Sequence, residues 1–325
     1  MIKYVGLCFF LLATIIGVSV RSSDVAAGLV KDGLVLDGSD PSPGDAGPAV
    51  GAAPPATTGD ASKACAGVSF SRSLRYGESE QNVLDVATIK DPAAASPRPV
   101  LVFVAGESFT GDGGLPDIAN SMQDEAMCFA ARHGMVGVKV SYRLAPANPW
   151  PAGARDVAAA TSWIRQNIDL FGGSASEIVA IGYSAGAFHV ASFLAHPEFQ
   201  ERDPGIAAAV LVSGIYHLSA DATESEKSYF GADPGKYDQR SVFPGILNID
   251  TPLLLAWSVL DPPRLVAQAE KLKELLCNSP SQCPHITVLR SREGLSSIFG
   301  LDASGGSLAE PTLELVREIE ARGLP

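Results

Sequence analysis

The chain has 325 residues, 46% apolar and 18% charged, enough to bury the core of one large or two small domains. Acidic residues outnumber basic ones by 36 − 24 = 12, and this negative charge, with no run of Lys or Arg, argues against nucleic acid as a partner. Five cysteines are too few for a disulfide-built miniprotein, and the absence of heptads or a fixed repeat excludes coiled coils and solenoids.

Met1, Ile2 and Lys3 precede a 16-residue apolar stretch, 5–20, then Ser22, Ser23 and Val25-Ala26-Ala27. A charged start, a short apolar run and small residues match a secretory signal peptide over 1–27, cut after Ala27. An uncleaved membrane anchor is the alternative, but the run is shorter than the roughly 20 residues of a spanning helix. The expected location is therefore periplasmic or extracellular, with no stable membrane insertion once the signal is removed. Residues 28–63 contain 7 Gly and 5 Pro in 36 positions, a composition that buries little and reads as a flexible linker.

From residue 64 to 325 short β-branched runs alternate with helix-length segments. The runs at 82–89, 100–104, 136–140, 177–183, 208–212, 252–257 and 286–289 read as strands, several of them apolar throughout. Helices are expected over 118–133, 154–171, 185–195, 264–277 and 309–322. This alternation predicts one α/β domain, a mostly parallel central sheet with helices on both faces. The span 219–249 is too long for an ordinary connection and reads as a lid or pocket insertion.

Gly182-Tyr183-Ser184-Ala185-Gly186 stands where an apolar strand ends and a helix begins. A sharp turn there strains the serine and lifts its hydroxyl above the sheet, while the helix N-terminus offers free N–H groups to a developing oxyanion. With Tyr142-Arg143-Leu144-Ala145-Pro146, Trp150-Pro151-Ala152 and Asp156-Val157, this motif resembles the α/β-hydrolase fold. Within it, the chain is similar to carboxylesterases of the hormone-sensitive-lipase-like and bacterial feruloyl-esterase-like groups. The resemblance runs through 64–325 in order and implies a small-molecule ester as substrate, with no cofactor. In that family an acid follows a late strand, and here Asp261 holds the matching place after 252–257. The local alternative for Asp261 is a cap on the helix that follows it.

The chain departs from the family in two places. Where the family has His-Gly-Gly-Gly, this chain has Ala105-Gly106-Glu107-Ser108. Backbone donors to an oxyanion would then be Gly106, Glu107 and Ala185, with the Glu107 carboxylate opposing the developing charge unless it points away. Where the family carries its histidine, this chain has Ser291-Arg292-Glu293-Gly294-Leu295-Ser296, which places Arg292 and Gly294 at the histidine positions. Arg292 stays protonated and Gly294 has no side chain.

Of the five histidines, His217 alone follows a strand at its C-terminal end, the sheet edge where α/β active sites lie. It is the one stand-in base the pattern offers, set against a loop histidine with no catalytic part. No metal-ligand spacing is present, and 231–237 is a poor imitation of a phosphate loop. The expected activity is acyl transfer through Ser184, oriented by Asp261. The rivals are a non-catalytic binding protein on the same fold and a slow hydrolase using His217. For an exported chain, Cys277 and Cys283 flank a turn-rich loop and are expected to pair, as, less directly, are Cys65 and Cys128.

Overall fold

The computed structural model describes residues 65–89, 97–104, 106, 108–111, 116–200, 204–279, 282–290 and 308–323. The expected leader 1–27, the linker 28–63, Glu107, Arg292 and Gly294 lie outside them.

Eight strands form one sheet: β1 (Val68–Arg75), β2 (Val83–Ile89), β3 (Arg98–Val104), β4 (Val136–Val140), β5 (Gly173–Tyr183), β6 (Ala208–Val212), β7 (Leu253–Ser258) and β8 (His285–Leu289). Their spatial order is β1-β2-β4-β3-β5-β6-β7-β8. β1 and β2 pair antiparallel, as do β2 and β4, and every pairing from β4 through β8 is parallel. The expected mostly parallel sheet is present.

The helices are α1 (Pro116–Arg132), α2 (Ala152–Asn167), α3 (Ala185–Ala195), α4 (Glu224–Phe230), α5 (Tyr237–Arg240), α6 (Pro263–Leu276) and α7 (Ala309–Gly323). Alternation along each strand feeds two cores. Val100, Val102, Val104, Leu211 and Leu255 face α2, α3 and α6, where Ile164, Phe188 and Leu272 are buried. Leu101, Phe103, Val179, Val210 and Leu254 face α1 and α7, where Phe129, Leu315 and Ile319 close the other layer. Strands covered on both faces carry continuous apolar runs, as at 100–104, 178–181, 208–212 and 253–257.

Three elements differ from the sequence reading. β1 is an additional strand at the sheet edge: Ser69, Ser71 and Arg72 are half-buried and Ser73 and Arg75 exposed, so its composition is too polar for the apolar-run criterion. β5 begins at Gly173, before the expected 177, and the helix expected to reach 171 gives way to a 3₁₀ turn at Ile168–Phe171. The 219–249 span is mostly helical, holding α4, α5 and short 3₁₀ turns.

Both expected disulfides form: Cys65–Cys128 joins the start of the domain to α1, and Cys277–Cys283 closes the link between α6 and β8. Among the described residues no helix is long and apolar enough to cross a membrane, and no cluster of His, Cys, Asp or Glu could hold a metal ion.

Candidate active site

Ser184 sits between β5 and α3 at φ 51° and ψ −115°, a left-handed backbone costly to a residue with a Cβ. Its N–H donates to the carbonyl of Val212 at 2.9 Å, which ties the turn to the end of β6. The turn closes because Gly182 lacks a side chain: a Cβ there would lie 2.5 Å from Ala187 Cα and 2.6 Å from the Gly186 carbonyl oxygen. Ala185, the first residue of α3, presents its N–H at the helix N-terminus.

Gly106 follows β3 and lies against this turn. A Cβ on it would overlap the Tyr183 carbonyl and stand 2.7 Å from Ser184 Cβ, so only glycine fits. The structure thus brings Gly106, Ser184 and Ala185 together. Beyond Gly106 the chain turns back on itself: Ser108 Oγ accepts from Thr110 N–H at 3.2 Å and Gly111 N–H at 3.1 Å. The Phe109 carbonyl accepts from Ala145 N–H at 2.9 Å, linking this turn to the Tyr142–Pro146 stretch. That stretch is anchored by Arg143, which holds the buried Asp156 through Nε and Nη2 as well as its backbone N–H. The Asp156 carboxylate raises the Arg143 guanidinium above its usual range. The Tyr142–Pro146 and Asp156 motif residues recognised in sequence therefore support the Gly106 turn.

Asp261 ends the turn after β7. Its Oδ2 accepts from Ser213 Oγ at 2.6 Å and from Ser258 N–H at 2.9 Å. The helix-cap alternative is overturned, because α6 starts after Pro262 with no side-chain cap and the carboxylate faces Ser213 and Ser258. Burial raises the Tyr183 phenol above its ordinary range, and the charge of Asp261 adds to the rise. Ser213 is a site residue that the sequence reading missed; its only local mark is the serine directly after β6, the place Ser184 holds after β5.

Among the described residues, the recorded partners of all five histidines lie elsewhere than Ser184 and Asp261. His217 does follow β6, but its ring turns to Phe243, at 6.2 Å between centroids, and to Asp238, at 3.7 Å. The cleft it lines, about 640 Å³ beside α6, includes neither Ser184 nor Asp261. His133 binds the Phe129 carbonyl, His196 the Ser241 carbonyl and Glu198, and His285 faces Glu318. His189 is fully buried among Phe109, Tyr142, Phe188 and Tyr229 with neither ring nitrogen bonded. Desolvation pushes its pKa down to about 3.

A sequence profile described as the alpha/beta hydrolase fold matches residues 108–241. Among curated relatives, Esterase LipQ of Mycobacterium tuberculosis is 30% identical over 212 residues, 61% of this chain and 48% of that protein. Phenmedipham hydrolase of Pseudarthrobacter oxydans is 34% identical over 110 residues, 31% of this chain and 20% of that one. This chain thus spans less than half the length of either. Esterase B from Lactobacillus rhamnosis superposes with a TM-score of 0.62 at 15% identity, covering 79% of this chain and 86% of that one. A truncated carbohydrate esterase from gut microbiota superposes with a TM-score of 0.60 at 15% identity, covering 78% and 96%. At such identities the superpositions establish the fold. The chain has the α/β-hydrolase fold and resembles, in sequence, carboxylesterases built on it.

Proposed function

We propose that this chain is an exported carboxylic-ester hydrolase that works by acyl transfer through Ser184, with turnover limited by the lack of a histidine base. The observation that carries this reading is the strained Ser184 turn with Gly106 packed against it and Ala185 N–H beside it. Ser184 Oγ attacks the ester carbonyl, and the oxyanion that forms accepts from the N–H groups of Ala185, Gly106 and Glu107. The carbon–oxygen bond to the alcohol breaks, and the proton lost by the serine leaves with that alcohol. Water then attacks the acyl-serine, releasing the acid and restoring the hydroxyl. Without a histidine beside Ser184, water carries the protons and both steps are slow. Asp261, held through Oδ2 by Ser213 and Ser258, is the acid of this reading, although no imidazole is in contact with it.

The placement of all five histidines away from Ser184 favours a second reading, a binding protein that keeps the fold without turnover. Hydrolysis of short-chain nitrophenyl esters by the purified protein separates the two. Turnover that is slow but lost in Ser184→Ala supports the hydrolase. Equal rates in wild type and Ser184→Ala support the binding protein.

A further inference from the structure

α4 has only seven residues, yet it contacts Phe109 and Thr110 beyond Gly106, Arg264 beyond Asp261, and Phe188 beyond Ser184. On one side Ser225 Oγ accepts from Phe109 N–H at 3.3 Å and lies 3.0 Å from Thr110 Oγ1, so α4 holds the turn that begins at Gly106. Tyr229 reinforces the tie by stacking on Phe109, with ring centroids 5.0 Å apart and planes 16° apart. On the other side the buried Glu226 carboxylate receives Arg264 Nη1 at 2.8 Å and Nη2 at 2.6 Å. Glu226 also accepts Thr223 N–H at 3.0 Å, which fixes the start of α4 by a capping box. At the end of α4, Phe230 packs edge-on against Phe188 of α3, 4.8 Å away and just past Ser184.

The Arg264 link is stiff. A two-pronged guanidinium–carboxylate pair fixes orientation as well as distance, and a buried carboxylate left without its partner is costly. Between Asp261 and Arg264 stand Pro262 and Pro263, whose rings restrict the backbone. A shift of Arg264 is therefore passed to Asp261 with little slack. We propose that α4 is a strap coupling the Gly106 turn to the Asp261 turn, with Ser225, Glu226 and Arg264 as positioning residues that set both against Ser184. The coupling stands on these contacts alone; its effect on reactivity rests on the hydrolase reading.

Hydrogen exchange of the intact protein tests the coupling without requiring activity. Arg264→Lys keeps the charge but loses the fork, and should speed exchange of the Phe109 and Thr110 amides by about tenfold, a common size for coupled contacts. Reciprocally, Ser225→Ala should speed exchange at Ser258 and Asp261 by about the same factor. Changes confined to the side altered overturn the proposal, and if Arg264→Lys does not fold, the Ser225→Ala result decides it. In labelling of Ser184 by a fluorophosphonate, both variants should lower the maximal rate while leaving the half-saturating probe concentration unchanged. If the wild type takes no label, the hydrolase reading fails while exchange still decides the strap.

Discussion

Ser213 donates its hydroxyl to Asp261 Oδ2 at 2.6 Å from a backbone held at φ 50°, so a strained serine at the end of β6 fixes the acid that follows β7. The Ser213 N–H is itself bound to the Ala256 carbonyl of β7 at 2.9 Å. Strain at this position persists only because both ends of the residue are held.

Replacing Ser213 should separate the hydrogen bond from the strain. Ser213→Ala loses a bond to a charged group, worth about 1.5–3 kcal/mol, and keeps the left-handed backbone. Ser213→Gly loses the same bond but recovers about 1–2 kcal/mol of backbone strain. Urea unfolding should rank the glycine variant above the alanine variant. The reverse order would mean that the backbone at 213 is not strained.

Supplying the base should raise activity. Gly294→His puts an imidazole where the family resemblance places one, and ester turnover should rise by at least about tenfold. Adding Glu107→Gly, which restores the glycine of the resembling family and removes a carboxylate, should raise it further. His217→Ala should leave turnover unchanged, because that ring lies against Phe243 and Asp238. Loss of turnover in His217→Ala, with no gain from Gly294→His, would reverse the assignment.

His189 makes stability depend on pH. Its pKa falls from the ordinary 6.5 to about 3 in the folded protein, so the unfolded chain binds the extra proton between those values. Stability is full above about pH 6.5 and declines as pH falls toward 3, at a slope approaching about 1.4 kcal/mol per pH unit. Denaturant titrations between about pH 6 and 4 should show this slope, and His189→Leu should flatten it. An unchanged slope in His189→Leu would assign it to other groups. Asp85, held below the usual carboxylate range by Lys139 against the opposing effect of burial, acts only at more acidic pH.

The two disulfides should contribute unequally. Cys65–Cys128 closes 63 residues and Cys277–Cys283 closes 6. On loop-closure entropy these contribute about 4 and about 2 kcal/mol respectively. Cys128→Ser should therefore destabilise more than Cys283→Ser in urea unfolding. Mass spectrometry of the unreduced protein should find both pairs bridged, and free thiols at 277 and 283 would remove the second.

Ser184 was legible because everything that marks it is local: an apolar strand, a turn flanked by glycines, and a helix. The parallel sheet was legible for the same reason, since strands buried on both faces carry continuous apolar runs. β1 was not, because Ser69, Ser71 and Arg72 occupy an edge that tolerates polar side chains. The Ser213–Asp261 bond joins residues 48 positions apart, and only the adjacency of β6 and β7 brings them together. His217 was correctly placed after β6, but the direction of its ring depends on Asp238 and Phe243, both beyond the reach of local pattern. α4 lies in a span that the pattern marks only as an insertion, and the burial of Glu226 against Arg264 joins residues 38 positions apart.

The central claim is that Ser184 is a reactive nucleophile despite the absence of a histidine beside it. Incubating the intact protein with a fluorophosphonate and mapping the adduct by peptide mass spectrometry tests it most directly. The account predicts slow labelling at Ser184, none in Ser184→Ala, and faster labelling in Gly294→His. Wild-type protein that stays unlabelled at Ser184 after prolonged exposure, or label of equal extent in Ser184→Ala, would contradict it.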